Sequence, residues 1–191
     1  MIDTDGNEWA CQFKVDGYRA LVHIKERETG QEVKVFSRRM NDITESVPEL
    51  AEVEWPAGEY VLDGEIIAET GSYSDTSARI GRKADNVERD VEMQFACFDS
   101  IIYAGESVWK QPYSKRHKRL ESLDLNTGDT VQLLPLEFDY EEAKNRALAN
   151  GEEGLILKRM DAPYEFDKRS SSWVKHKFDA ENVDLKVAGF E

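Results

Sequence analysis

Period-2 alternation of apolar and polar residues recurs in short runs along most of this 191-residue chain. In the run WACQFKV, residues 9–15, Cys11 and Phe13 fall on one face of an extended strand, and Gln12 and Lys14 fall on the other. Similar runs follow at EVKVFSRR, EYVLDGEIIAE, MQFACFDSIIY, TVQLLPLEF, EGLILKR and SSWVKHKF. Short alternating runs are typical of antiparallel sheets. The pattern therefore predicts a strand-rich protein with a few helices.

The pair Asp16-Gly17 separates the first run from RALVHIKE, which alternates in the same way. Asp-Gly is among the strongest short signals for a β-hairpin. We therefore predict that residues 9–15 and 19–26 pair as a hairpin, with Lys14 at a strand end.

Two segments have helical patterns, SKRHKRLESL at 114–123 and DYEEAKNRALANG at 139–151. Asn150-Gly151 is a typical C-terminal stop for the second helix. The polar segment 69–86 predicts a loop followed by a short helix. We expect the basic residues of KRHKR to face solvent on an amphipathic helix, in preference to contacting DNA.

Charge and composition restrict the classes of function. A formal net charge of −14 argues against a protein that coats nucleic acid non-specifically, because phosphate binding needs clustered Lys and Arg. Local basic clusters at 79–83, 115–119 and 175–177 still allow a positive groove. No apolar run approaches the roughly 20 residues of a membrane span, so we expect a cytoplasmic protein. Cys11 and Cys97 lack a CxxC spacing, which predicts buried free thiols.

Charged residues inside the predicted strands suggest a site. Asp63 and Glu65 share one face of a strand, and so do Lys175 and Lys177. Two ammonium groups about 7 Å apart repel each other unless an anion lies between them. One polyphosphate-and-metal site could be lined by Lys14, Glu65, Glu153, Lys158, Lys175 and Lys177.

The segment KVDGYR, residues 14–19, resembles the KxDGxR nucleophile motif of the covalent nucleotidyltransferases. This superfamily comprises DNA ligases, RNA ligases and mRNA capping enzymes. Its later motifs are matched in order by FSRRMNDIT, LDGEII, FACFDSI, EEGLILK and WVKHK, so that the resemblance covers residues 9–178. Within the superfamily the motifs look most like those of ATP-dependent DNA ligases, particularly the small viral or phage type.

The resemblance implies an α+β fold of two antiparallel β-sheets flanked by helices, the ATP-grasp-like nucleotidyltransferase fold of ligases and capping enzymes. Lys14 would attack the α-phosphate of ATP and form lysyl-AMP, which requires a neutral amine. The AMP would then pass to the 5′-phosphate of nicked double-stranded DNA. RNA ligase, GTP-using capping domain and a catalytically silent nucleic-acid-binding module remain as alternatives.

The resemblance also implies roles for individual residues. The catalytic lysines would be Lys14, Lys175 and Lys177. Glu153 and Glu65 would bind Mg²⁺. ATP would be contacted by Gln12, Phe13, Arg19, Arg38, Glu65, Phe98, Lys158 and Trp173. Gln12 departs from the family pattern, because many DNA ligases have a glutamate two residues before the nucleophile.

The same resemblance predicts the domain organisation. Residues 1–182 would form the adenylation domain, and 183–191 would be the linker and first strand of a missing OB-fold domain. We expect a monomer, encoded by a bacterium or by a virus or phage that acts in the host cytoplasm.

Overall fold

The computed structural model describes residues 1, 3, 6, 8–81, 90–125, 129–168 and 170–178. Within these ranges the chain forms nine β-strands, three α-helices and two short 3-10 helices. The strands are β1 (Trp9–Phe13), β2 (Tyr18–Arg27), β3 (Gly30–Ser37), β4 (Glu59–Ala68), β5 (Met93–Tyr103), β6 (Glu106–Ser107), β7 (Val131–Leu133), β8 (Gly154–Arg159) and β9 (Trp173–Lys177). The α-helices are α1 (Tyr73–Gly81), α2 (Tyr113–Glu121) and α3 (Tyr140–Ala149), and the 3-10 helices are Thr44–Ser46 and Pro48–Ala51.

The strands form two sheets, which confirms the predicted α+β architecture. The larger sheet has the order β3-β2-β4-β5-β6, and the smaller has the order β1-β8-β9. Neighbouring strands along both paths are antiparallel. The exception is β7, which lies off the path of the larger sheet and pairs with β5 in parallel.

The predicted hairpin between the first two runs is wrong. Strand β1 pairs with β8 in the smaller sheet, whereas β2 pairs with β3 and β4 in the larger one. The chain crosses between the sheets at 14–17, where the Lys14 N–H donates to the Gly154 carbonyl at 2.9 Å. A Cβ added to Gly17 would lie 2.5 Å from the Ile66 carbonyl oxygen. Gly17 therefore permits a close approach to β4 rather than a two-residue turn.

Helix α3 packs against one face of the smaller sheet. Cys11 and Leu155 form a buried cluster there with Ala143 and Ala147 of α3. The Asp139 side chain caps the helix by accepting from the Glu142 N–H at 3.0 Å. The helix ends at the predicted Asn150-Gly151 pair, where Gly151 has φ +72°. Cys11 and Cys97 are buried free thiols, as predicted.

The expectation that KRHKR forms a solvated basic face is wrong for two of its members. Lys115 and Lys118 are exposed, but Arg116 and His117 are buried. The Arg116 guanidinium forms a bidentate pair with the fully buried Asp99, at 2.7 and 2.9 Å. Residues three and four apart share a helix face, so Arg116 and His117 lie inward with Tyr113. The inward face of α2 therefore carries a charged side chain, Arg116, which is paired with Asp99.

Other predictions fall partly outside the described residues. Helix α1 begins at Tyr73 within the predicted loop-and-helix segment, but 82–86 lie outside the described ranges. The predicted linker at 183–191 also lies outside them. Among the described residues, no helix is both long enough and apolar enough to cross a membrane.

Candidate active site

A cavity of about 950 Å³ lies between the two sheets. This volume is at the upper end of the range of about 300–1,000 Å³ that is usual for small-molecule sites. The cavity is bordered by most residues of the predicted site, namely Gln12, Phe13, Lys14, Arg19, Arg38, Glu65, Phe98, Lys158, Trp173 and Lys175. Glu153 joins this group through its contact with Lys14, and Lys177 joins it through its contact with Glu153. The structure thus brings together residues that are up to 165 positions apart in the chain.

The register of the smaller sheet explains why so many of these side chains face the cavity. Residues directly opposite each other on paired strands share one face of the sheet. Ile156 is opposite Gln12 on one side and Lys175 on the other. Lys158, two residues further along β8, is opposite Trp173. The period of two therefore turns all five side chains towards the larger sheet.

The predicted nucleophile is held in an ion pair. Lys14 Nζ donates to one carboxylate oxygen of Glu153, and Lys177 Nζ donates to the other. The Lys14 side chain is 12% exposed and that of Glu153 is 34% exposed. Hydrogen bonds from Lys14 and Lys177 lower the pKa of Glu153 below its usual range. The carboxylate therefore stays ionised at neutral pH and holds the two ammonium groups beside the cavity.

The other end of the cavity has a buried amine surrounded by aromatic rings. Lys158 Nζ lies 4.0 Å from the ring centroid of Trp173, 4.3 Å from that of Phe98 and 4.7 Å from that of Tyr113. It also donates to the Tyr113 hydroxyl at 3.2 Å. Burial lowers the pKa of Lys158 to about 7, although the carboxylate of Asp99 acts in the opposite direction. A cation that is easily neutralised thus lies beside aromatic faces that can stack on a planar ligand.

Gln12 completes this end of the cavity and is almost fully buried. Its Nε2 donates to the Leu134 carbonyl at 2.7 Å, and its Oε1 accepts from the Tyr113 hydroxyl at 3.1 Å. His117 Nε2 lies 3.0 Å from the same Leu134 oxygen. Sequence reasoning missed Leu134, Tyr113 and His117. The i, i+4 spacing of the two rings on α2 could have indicated burial, but not which cavity they support.

A polar cluster on the larger sheet faces the same cavity. Arg19 contacts Asp63 through Nε at 3.1 Å and through Nη2 at 2.7 Å. The Tyr164 hydroxyl donates to the second Asp63 oxygen at 2.8 Å. Glu65 lies opposite Arg19 in the β2–β4 pairing. Burial, reinforced by the Asp63 charge, raises the pKa of Glu65 to about 7. The Asp63 side chain therefore orients Arg19, while Glu65 titrates near neutral pH.

Two of the predicted nucleotide contacts lie at the edge of the cavity. The Phe13 ring lies 5.6 Å from the Arg146 guanidinium carbon and packs with the cluster beneath α3. Arg38 is exposed at the start of a tight loop, in which the Met40 N–H donates to the Ser37 carbonyl at 2.8 Å. Phe13 therefore borders the cavity beside the nucleophile, and Arg38 borders its mouth.

The carboxylates fit a magnesium ion that is completed by its substrate. Among the described residues, no group of three or more His, Cys, Asp or Glu side chains could hold a metal alone. Mg²⁺ usually keeps several waters and is bound by one or two carboxylates together with substrate phosphates. Glu153 and Glu65 supply carboxylates of this kind, one beside the nucleophile and one on the cavity wall.

Two sheets that enclose a lysine, its acidic partner and an aromatic pocket define a nucleotide-binding domain of the ligase type. Solved ligase structures share this fold. The DNA ligase D of a mycobacterium, complexed with ATP and MES, matches with a TM-score of 0.70 at 30% identity, over 89% of this chain and 54% of that chain. The family of ATP dependent DNA ligase domains matches residues 1–177, and this chain belongs to that family.

Curated relatives agree with this assignment. The DNA ligase of Haloferax volcanii is 36% identical over 201 residues, which cover 96% of this chain and 34% of that protein. A probable DNA ligase of Anaeromyxobacter is 37% identical over 194 residues, which cover 96% of this chain and 36% of that protein. The chain therefore spans about a third of the length of these relatives. A Chlorella virus DNA ligase-adenylate matches with a TM-score of 0.66 at 19% identity, a likeness of fold alone.

Proposed function

We propose that this domain transfers AMP from ATP to Lys14, as the first step in sealing nicks in DNA. The observation that carries the proposal is the position of Lys14. Its amine contacts Glu153 at one end of a cavity whose other end holds Phe98, Lys158 and Gln12. A base bound at that second end would leave its triphosphate directed towards the amine.

The chemical step follows from this arrangement. Lys14 Nζ leaves its ion pair, releases a proton to water and attacks the α-phosphorus as a neutral amine. A nitrogen–phosphorus bond forms while the bond from the α-phosphorus to the bridging oxygen breaks, and pyrophosphate leaves with the electron pair. The nitrogen then loses a second proton to water, which gives the neutral phosphoramidate nitrogen of lysyl-AMP. Lys175 and Lys177 stabilise the charge of the triphosphate and of the leaving group. Positioning dominates catalysis in phosphoryl transfer, and the sheet register provides it here.

The proposed base pocket suits adenine. The Phe98 ring supplies a stacking face, and Trp173 and Lys158 lie beside it. Lys158 supplies a donor and the Gln12 oxygen an acceptor, which complement N1 and the 6-amino group of adenine. Guanine presents the reverse pattern on that edge, so ATP is favoured over the GTP of capping enzymes.

Glu153 and Glu65 would hold Mg²⁺ together with the ATP phosphates. When bound, the ion would neutralise phosphate charge near the reacting centre. Arg19, fixed by Asp63, and Arg38, at the mouth, would contact phosphate or sugar groups. These assignments are supported by the placement of the side chains around one cavity.

The names of the relatives support DNA over RNA as the acceptor, and we propose that the acceptor is nicked double-stranded DNA. AMP would pass from Lys14 to the 5′-phosphate of the nick, and the 3′-hydroxyl would then displace it. The division into an adenylation domain at 1–182 and a linker at 183–191 stays a prediction. The monomeric state, the cytoplasmic location and the viral or phage affinity stay predictions as well.

Intact-mass measurement after incubation with ATP and Mg²⁺ tests the proposal. The protein is expected to gain the mass of one AMP, and Lys14→Ala is expected to gain none. Lys14→Arg should not restore labelling, because a guanidinium is effectively never deprotonated. Lys118→Ala, which removes an exposed lysine of α2, is the matched control and should be labelled normally. An AMP adduct on the Lys14→Ala protein would refute the assignment of the nucleophile.

The acceptor is tested separately with the purified lysyl-AMP protein. Mixed with a nicked duplex in the absence of ATP, it should transfer AMP to the DNA 5′-phosphate. An otherwise identical duplex with RNA strands is the comparison. Transfer to RNA alone would move the assignment to RNA ligases.

A further inference from the structure

The carbonyl oxygen of Leu134 is shared by two buried side chains behind the cavity. Gln12 Nε2 lies 2.7 Å from it and His117 Nε2 lies 3.0 Å from it, and each residue is 1% exposed. The two nitrogens are 3.5 Å apart. A carbonyl oxygen has two lone pairs and no proton, so both nitrogens must be donors. We therefore assign the proton of His117 to Nε2 and direct the NH₂ group of Gln12 at Leu134. The other ring nitrogen, Nδ1, makes no hydrogen bond among the described residues, and Glu121 Oε1 lies 3.5 Å from it.

The opposite end of the same carboxamide is fixed by Tyr113. The phenol hydroxyl shares its one proton between Gln12 Oε1 at 3.1 Å and the Phe98 carbonyl oxygen at 2.9 Å, and it receives a hydrogen bond from Lys158 Nζ at 3.2 Å. An acceptor and a cationic donor thus lie next to each other on the cavity wall. Turning the carboxamide over would place Oε1 about as close to the Leu134 oxygen as Nε2 is now, with no proton between two acceptors. This arrangement would leave buried polar groups unpaired and would cost roughly 1–3 kcal/mol.

We propose that His117 and Tyr113 are positioning residues that set the base specificity of adenylation by fixing the orientation of the Gln12 carboxamide. Neither ring is among the described residues that border the cavity, so His117 acts through Gln12, and Tyr113 acts through Gln12 and Lys158. The inference rests on the proposed function. With Oε1 held beside Lys158, the wall accepts a 6-amino group and donates to N1. A 6-oxo purine presents an acceptor and an N1–H instead, so its binding leaves both protein groups unpaired.

The arrangement also gives a reason for glutamine at position 12, where many DNA ligases have glutamate. A glutamate carboxylate can only accept, so one of its oxygens would face the Leu134 oxygen without a proton between them. Gln12→Glu, although it restores the commoner residue, should therefore impair the use of ATP. The expected effect is a rise in KM for ATP of at least about tenfold. A Gln12→Glu protein that matched or exceeded the parent would overturn the proposal.

Base selectivity provides the direct test. Rates of covalent labelling are measured for ATP and for inosine triphosphate, which differs in bearing a 6-oxo group and an N1–H. The parent protein should prefer ATP by at least about a hundredfold. His117→Phe keeps the ring but removes the donor to Leu134, and Tyr113→Phe removes the donor to Gln12. Each should lower the ratio at least about tenfold, chiefly through KM for ATP, because base contacts contribute to ground-state and transition-state binding alike.

His23→Phe is the matched control. His23 lies on β2 and pairs with Glu59 at 3.1 Å on the larger sheet. Its replacement should leave the ratio unchanged. Normal labelling with an unchanged ratio in both the His117 and Tyr113 variants would refute this inference alone. Failure of the parent protein to label with ATP would refute the proposed function and the inference with it.

A measurement on the unsubstituted protein covers the case in which these variants fail to fold. Long-range ¹H–¹⁵N NMR spectra distinguish the two neutral tautomers of histidine. The arrangement around Leu134 requires His117 to carry its proton on Nε2. Burial lowers the pKa of His117, so the neutral ring is the form that is observed above pH 7. A proton on Nδ1 would overturn the proposal without any substitution.

Discussion

Replacing Lys158 with methionine is expected to stabilise the ligand-free domain while weakening its use of ATP. Lys158 is 2% exposed, and its pKa falls from 10.5 to about 7 on folding because burial removes the ammonium from water. Between these two values the unfolded chain binds a proton that the folded chain does not bind. The free energy of unfolding therefore rises with pH over this window. The destabilisation is complete below about pH 7 and is absent above about pH 10.5.

The size of the effect follows from the difference between the two pKa values. Each pKa unit corresponds to about 1.36 kcal/mol, so the buried amine costs about 4 kcal/mol at pH 7 and about 2 kcal/mol at pH 9. Contacts of the ammonium with three aromatic rings offset part of this cost. Methionine has a similar length and fills irregular core space well. The variant should thus gain stability at pH 7, and its advantage should shrink by about 2 kcal/mol by pH 9.

Urea unfolding at pH 7 and pH 9 measures both quantities. Lys175→Met is the matched control, because Lys175 is an exposed lysine of the same sheet. The labelling assay on the Lys158→Met samples should show a higher KM for ATP. An advantage of equal size at both pH values, or a variant less stable than the parent at pH 7, would refute the reasoning.

Three further predictions follow from buried or crowded groups. Glu153→Ala should slow Lys14 adenylation at least about tenfold, or roughly 1.4 kcal/mol in the barrier, and rapid-quench labelling at saturating Mg²⁺ would show an unchanged rate if Glu153 has no catalytic role. Arg116→Met should lower the free energy of unfolding by about 3–5 kcal/mol, since it leaves Asp99 as an uncompensated buried carboxylate; a smaller loss in the Arg116→Met, Asp99→Leu double variant would identify that charge as the cause. Gly17→Ala should cost about 1–3 kcal/mol by crowding β4, and an unchanged melting temperature would show that the crossing can move.

The strands were predictable from the sequence because they depend on local pattern, and the residues that border the cavity were predictable through the resemblance of the motifs. Alternation around Lys14 placed Gln12 and the nucleophile on one face, and the structure has them there. The structure also places Lys158 on the cavity wall and Glu153 in contact with Lys14.

Neither the pairing of the strands nor the burial of charged side chains could be predicted from the local sequence pattern. The Asp-Gly signal describes a local conformation, whereas Gly17 is required by a distant neighbour, the carbonyl of Ile66. Arginine is usually exposed, but Arg116 is buried because Asp99 on β5 compensates its charge. His117 is buried on the same face of α2. Such pairs join segments that are far apart in the sequence, and periodicity within one segment does not indicate its partner.

The register of the smaller sheet also limits how this domain can change in length. Successive side chains alternate between two environments, the cavity on one face and α3 on the other. Losing one residue inside β8 would exchange the two faces beyond that point and would turn Lys158 towards α3. Insertions and deletions should therefore be purged from β1, β8 and β9. In these three strands every second side chain faces the cavity, so the domain can change there by substitution but not by a shift of one residue.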